Sequence, residues 1–290
     1  MKELFKKIKT YLKSIFTKGS NKVKIEQFVC SLIDILGQKQ TLETLRCCEK
    51  DFKSNIYEIY DIFSKTYKNI ERFRAYTSHS TDFVNKLKNK HNIDTGIISN
   101  PIEIKSFSDL ITSYVSIRFD SEKKVQFQGI YFLLFSNCMT FLQMLSDGIP
   151  LRGGIDIGIG IKTEENEIYG NALVKAYNLE TNVATSIRLV IGKDLYNYID
   201  SISKGEIESN EITDYNIAYA KLCQNIIIQD CDGEYILDYL SEEFKDMENF
   251  DSFVSKAKNF LKQKYEKNKD IQSVSKKYLR ALKYFESKGQ

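Results

Sequence analysis

The chain has 290 residues and a formal net charge of +3, with ordinary apolar and charged fractions. That length allows one large core with an appendage. The charge is too small to imply nucleic-acid binding, and no apolar run is long and charge-free enough to read as a membrane span. Six cysteines without zinc spacing, including the adjacent Cys47 and Cys48, read as reduced thiols, and the localisation expected is cytoplasmic. With only His79 and His91 available, a histidine-based triad or zinc site is not expected.

Residues 1–24 form a first unit. Leu4, Phe5, Ile8, Leu12, Ile15 and Phe16 recur on one helical face, and lysines fill the other. Such a basic amphipathic helix suits either weak contact with a membrane surface through residues 1–20 or packing on protein. EQFVCSLIDILG then reads as a buried strand that ends at Asp34 and breaks at Gly37. Residues 41–75 carry a helical period, whereas the polar stretch 76–100 reads as a loop or a poorly ordered insertion. IEIKSF and LITSYVSI flank Ser108-Asp109 and predict a tight hairpin with Asp109 at its turn.

A long apolar helix is expected over about 126–146. LRGGIDIGIGIK reads as a Gly-rich strand with Ile155, Ile157 and Ile159 on one face. A helix starts after Gly170, SIRLVIG is a strand, and KDLYNYIDSI is a short helix. Asp232-Gly233 sits between two β-rich runs as a late hairpin, and lysine-rich helices close the chain. The expected fold is α+β: a ferredoxin-like βαββαβ core with helices on one face. The units expected are the N-terminal helix (1–24), a core (25–205), and a C-terminal hairpin with helices packed on it (206–290).

That topology makes Asp34 and Asp109 neighbours. A carboxylate at the end of an apolar run is costly unless it is exposed, paired or bound to metal. Each aspartate alone also suits an ordinary turn. As a pair on adjacent strands they have the geometry for two divalent cations and phosphoryl transfer.

SLIDILGQ, SFSDLI, PLRGGIDIG, IYGNALVKAYNLET and ATSIRLVIG, in that order, resemble the class III nucleotidyl cyclases, and within them the pyrimidine cyclases of bacterial Pycsar anti-phage systems. The resemblance covers about residues 25–285. It implies that Asp34 and Asp109, with the backbone carbonyl of Ile35, hold two Mg²⁺ or Mn²⁺ ions. It also implies that a nucleoside triphosphate, UTP or CTP, is closed to a 3′,5′-cyclic mononucleotide. Backbone N–H groups of Ile35, Leu36, Gly37 and Gln38 would cradle phosphate oxygens. Lys105 and Glu167 fall where the family reads the base, and Tyr177 and Asn178 would lie against substrate.

The sequence departs from the family in one helix, where Val174 and Asn178 stand in place of an Asn and an Arg. The transition-state cation would then come from Arg152 or Arg188, each equally at home in a structural ion pair. Asp156 suits either the site or its rim. The family builds its sites between two catalytic domains, which implies a homodimer; no nucleic-acid partner is expected. A degenerate cyclase fold that binds nucleotide without turnover, or a polymerase-like palm that makes an oligonucleotide, remain alternatives.

Overall fold

A computed structural model of the chain describes residues 24–43, 55–90, 102–118, 127–163, 167–206 and 214–290. The expected N-terminal helix and the membrane contact considered for it, together with Cys47, Cys48 and His91, fall outside the described residues. In chain order the strands are β1 (Lys24–Ile35), β2 (Glu103–Phe107), β3 (Leu110–Arg118), β4 (Leu151–Lys162), β5 (Ile168–Gly170), β6 (Leu189–Ile191), β7 (Ile227–Gln229) and β8 (Tyr235–Leu237). The α-helices are α1 (Gln38–Glu43), α2 (Ile56–Lys90), α3 (Phe127–Ser146), α4 (Asn171–Asn182), α5 (Lys193–Ser203), α6 (Asp214–Asn225), α7 (Phe250–Lys267) and α8 (Gln272–Ser287).

All strands join one sheet, ordered β2-β3-β1-β4-β6-β8-β7, with β5 hydrogen-bonded to β4. The β2-β3-β1-β4 portion is antiparallel throughout. It is the ferredoxin-like order, with β1 and β3 central. The late hairpin continues the same sheet through β6, so the C-terminal residues share the core rather than forming a separate body.

Alternation along β1 sorts the two faces. Val29, Ile33 and Ile35 enter the main core with Val115, Ile155 and the apolar helix α3, which is buried along most of its length. Phe28, Cys30 and Leu32 point to the opposite face, against Ala172 and Ala176 of α4. Helices therefore cover both faces, which corrects the one-sided expectation.

The glycines of β4 explain how α4 lies so close. A Cβ at Gly154 would come within 2.4 Å of Leu179 Cβ and 2.5 Å of Ala176 O; one at Gly158 would come within 2.7 Å of Ala172 N. Only glycine lets a helix backbone rest on a strand at that distance.

Two further expectations change. Residues 76–90 continue α2 rather than forming a loop. The buried stripe of that helix passes from Ile70 and Phe73 to Thr77 and Ser80, small polar residues that hide its period. Their hydroxyls bond the carbonyls of Phe73 and Tyr76, so burial leaves them satisfied. Ile159 is 62% exposed, so only Ile155 and Ile157 serve the core.

Candidate active site

Asp34 is the second-last residue of β1, and its register partners are Leu110 on β3 and Arg152 on β4. Asp109 occupies the β2–β3 turn, where Ser108 takes a left-handed conformation (φ 57°). The Ile35 N–H donates to the Asp109 carbonyl at 3.4 Å, which ties the two segments together. The hairpin expected from the sequence thus forms and carries Asp109 beside the end of β1.

Asp34 shares the parity of Leu32 and faces the α4 side. There Arg152 Nε donates to Asp34 Oδ2 at 2.9 Å. The same guanidinium places Nη2 2.8 Å from Glu180 Oε1 as an ion pair. Glu180 comes from α4 and is 3% exposed. Burial raises its carboxyl above the usual range, reinforced by the negative charges of Asp34 and Asp109; the Thr181 hydroxyl and Arg152 oppose the shift. Arg152 is thus a cation shared by two carboxylates at the sheet end. Glu180 was not legible as a site residue, because a single glutamate on a helix reads as surface.

The residues expected to cradle phosphate are arranged differently. Ile35 N–H is committed to Asp109, and Leu36 N–H donates to the Pro150 carbonyl at 3.0 Å. Those two groups hold the loop rather than a ligand. Gly37 adopts φ +92° as expected of a turn glycine, and nothing lies within 4 Å of where its Cβ would be. Ile35, Leu36, Gly37 and Gln38 line a cleft of about 330 Å³ with Lys65, Lys264 and Tyr278 among its other walls.

Lys105 is exposed on β2 opposite Thr112, which itself pairs with Leu32, so it shares the Asp34 face. Glu167 is held locally: its carboxylate accepts from the Tyr169 hydroxyl, and its N–H donates to Thr163 Oγ1. A lysine–glutamate pair does form nearby, between Lys162 on β4 and Glu103 on β2, and Glu103 also accepts from Tyr114. Tyr177 and Asn178 project from the exposed side of α4, away from the Ala172–Ala176–Glu180 stripe that meets the sheet.

Arg188 takes a structural role. It is 4% exposed, and its nitrogens reach Asp230 at 2.6 Å and Asp232 at 2.8 Å, with Arg280 completing the cluster. Its guanidinium is spent there, so Arg152 alone of the two candidates touches an aspartate of the pair at the end of β1. Asp156 is structural too. Its Oδ1 accepts from Leu195 N–H at 3.0 Å and supplies α5 with the cap that Gly192 lacks.

Among the described residues no group of three or more histidine, cysteine or acidic side chains is arranged to hold a metal ion. Asp34 and Asp109 offer oxygen donors alone, the chemistry that hard divalent cations require. One Asp34 oxygen is engaged by Arg152, and among the described residues no hydrogen bond is seen to the other, so the two carboxylates keep oxygen donors of the kind such a cation takes.

Neither protein-family profiles nor curated protein sequences match this chain. Among solved structures it is similar to the adenylyl cyclase CyaB from P. aeruginosa, at 14% identity and TM-score 0.34 over 62% of this chain and 83% of that one. It is also similar to a bacterial light-regulated adenylyl cyclase, at 10% identity and TM-score 0.40 over 88% of this chain and 68% of that one. At those scores the likeness adds nothing to what the sheet order and the carboxylates already say.

Proposed function

We propose that the chain is a nucleotidyl cyclase that converts UTP or CTP to a 3′,5′-cyclic mononucleotide and pyrophosphate. The observation that carries this reading is the pairing of Asp34 and Asp109 at adjoining ends of the two central strands of an antiparallel 4-1-3-2 sheet. Asp34, Asp109 and the Ile35 carbonyl would hold Mg²⁺ or Mn²⁺, which when bound acidifies the ribose 3′-hydroxyl and neutralises the leaving pyrophosphate. Arg152, fixed on β4 beside Asp34, presents the guanidinium that meets negative charge developing at the α-phosphorus. Glu180 orients that guanidinium from the helix side. Lys105, exposed on the same face of the sheet as Asp34, supplies a donor for a base carbonyl.

The resemblance to Pycsar enzymes supports a role in anti-phage signalling and a homodimer. Val174 and Tyr177, exposed on the outer side of α4, give a second copy an apolar surface to meet.

A second reading, a cyclase fold that binds nucleotide without turnover, is favoured by one observation: Arg152 already neutralises Asp34, and the Ile35 and Leu36 N–H groups are used within the protein. Pyrophosphate release from each nucleoside triphosphate, with Mn²⁺ or Mg²⁺, separates the two. The cyclase reading expects release that falls at least about a hundredfold in Asp34→Ala and in Asp109→Ala. Nucleotide binding without release from any of them favours the second reading.

A further inference from the structure

Arg152 answers to two anions at once. It lies opposite Asp34 in the β1–β4 register. Its Nε donates to Asp34 Oδ2 at 2.9 Å while Nη2 reaches Glu180 Oε1 at 2.8 Å, so one guanidinium bridges a strand and a helix. A planar fork suits that task; the point charge of a lysine does not. The side chains of Arg152, Asp34 and Glu180 are 24%, 14% and 5% exposed, so neither bond is an ordinary surface contact.

The two anchors differ in what else they can hold. Asp34 stands beside Asp109 at the sheet end, where the pair offers oxygen donors to a divalent cation. Glu180 is set deeper on a helix that rests directly on β4: a Cβ on Gly154 would come within 2.8 Å of Glu180 N. On the other side, β1 and β4 are paired without a break from Lys24 and Lys162 to Ile35 and Leu151. With both backbones held, the guanidinium is the part that can move. The negative charges of Asp34 and Asp109 both reach Glu180, so the cluster has carboxylates to spare for a cation. Arg152 and a divalent cation therefore compete for Asp34, and Glu180 is the anion that keeps the guanidinium when it leaves.

We propose that Glu180 is a positioning residue that makes Arg152 a latch on Asp34: when Asp34 takes up a divalent cation it gives up Arg152, which Glu180 retains and turns toward the substrate phosphates. The inference rests on the reading of Asp34 and Asp109 as metal ligands. It reconciles an arginine-neutralised Asp34 with turnover. It also orders events, because a nucleotide that arrives ahead of the cation meets a guanidinium already engaged. By linkage, whatever strengthens the Arg152–Asp34 bond weakens cation binding by the same factor.

The test is Mn²⁺ binding by the full-length protein without nucleotide, read from the electron paramagnetic resonance of the free ion. Lys105→Met removes an exposed charge from the same face and sets the scale of charge removal alone, about twofold. Arg152→Met should bind Mn²⁺ about tenfold tighter than the parent. Glu180→Gln should bind it about fivefold weaker, because the guanidinium then has Asp34 as its one anion. Combined with Arg152→Met, Glu180→Gln should change binding by less than about twofold, since Glu180 acts through Arg152. Charge alone predicts instead that Glu180→Gln weakens binding equally in both backgrounds, and that result overturns the latch. Equal binding by the parent and Arg152→Met also overturns it, yet leaves the ligand reading standing if Asp34→Ala abolishes binding. No Mn²⁺ binding by either protein removes the latch and the ligand reading together. A measurement on the parent alone guards against a misfolded variant: with nitrogen-labelled arginine, the Arg152 Nε–H resonance should shift and exchange faster with water as Mg²⁺ is added. A resonance unchanged at saturating Mg²⁺ overturns the proposal.

Discussion

Gly154→Ala is the sharpest probe of how α4 is held over the site. The added Cβ would lie 2.4 Å from Leu179 Cβ, 2.5 Å from Ala176 O and 2.8 Å from Glu180 N. None of these is the far end of a flexible side chain, so no rotamer change relieves the clash. Restoring ordinary contact at 3.4 Å requires α4 to retreat by about 1 Å, which carries Glu180 away from Arg152. Overpacking of this kind costs about 1–3 kcal/mol, and the rigid neighbours argue for the upper half of that range. At about 2–4 °C per kcal/mol, the thermal midpoint should fall by about 5–10 °C. The measurement is equilibrium urea unfolding with m held common, alongside a melting curve. Gly37→Ala is the comparison: its Cβ meets nothing within 4 Å, so only the strain of φ +92° remains, about 1 kcal/mol. A Gly154→Ala protein within 0.5 kcal/mol of the parent would refute close packing as the reason for the glycines.

Arg188→Met should cost about 3 kcal/mol, because it leaves Asp230 and Asp232 facing each other with only Arg280 between them. The hydrogen bond from Arg188, aided by Arg280, holds the Asp232 carboxyl below its usual range; for Asp230, burial works upward but the Cys231 N–H and both arginines outweigh it. Folded values below the unfolded value of about 3.9 mean that the stabilisation is complete above that pH and disappears as pH falls through the folded values. The gap between parent and variant in urea unfolding should therefore be constant from pH 5 to 7 and close below pH 4; a gap that widened on acidification would contradict the network. Asp156→Ala should destabilise by about 1–2 kcal/mol, with faster amide exchange in the first turn of α5; unchanged exchange at Leu195 would show that the cap is not needed.

The sequence was most legible where a residue's own chemistry set its geometry. A continuous apolar run broken at Gly37 placed β1 with Asp34 near its end, and turn chemistry placed Asp109, so the carboxylate pair could be read before any fold was known. Partner choice was harder. Arg152 and Arg188 are equivalent in sequence, both at strand starts, and only the fold shows that the late hairpin delivers Asp230 and Asp232 to one of them. Glu180 was hidden because its significance depends on α4 crossing the sheet, which the β4 glycines permit but do not announce. The length of α2 was missed because Thr77 and Ser80 stand in its buried stripe, where burial is compensated by their own backbone bonds.

The most direct test of the central claim is the mass of the product. Purified protein with Mn²⁺ is incubated separately with ATP, GTP, CTP and UTP, beside Asp34→Ala and Asp109→Ala. The account predicts a 3′,5′-cyclic mononucleotide from UTP or CTP that is absent from both variants. A linear or cyclic oligonucleotide, or a cyclic product that persists without either aspartate, would contradict it.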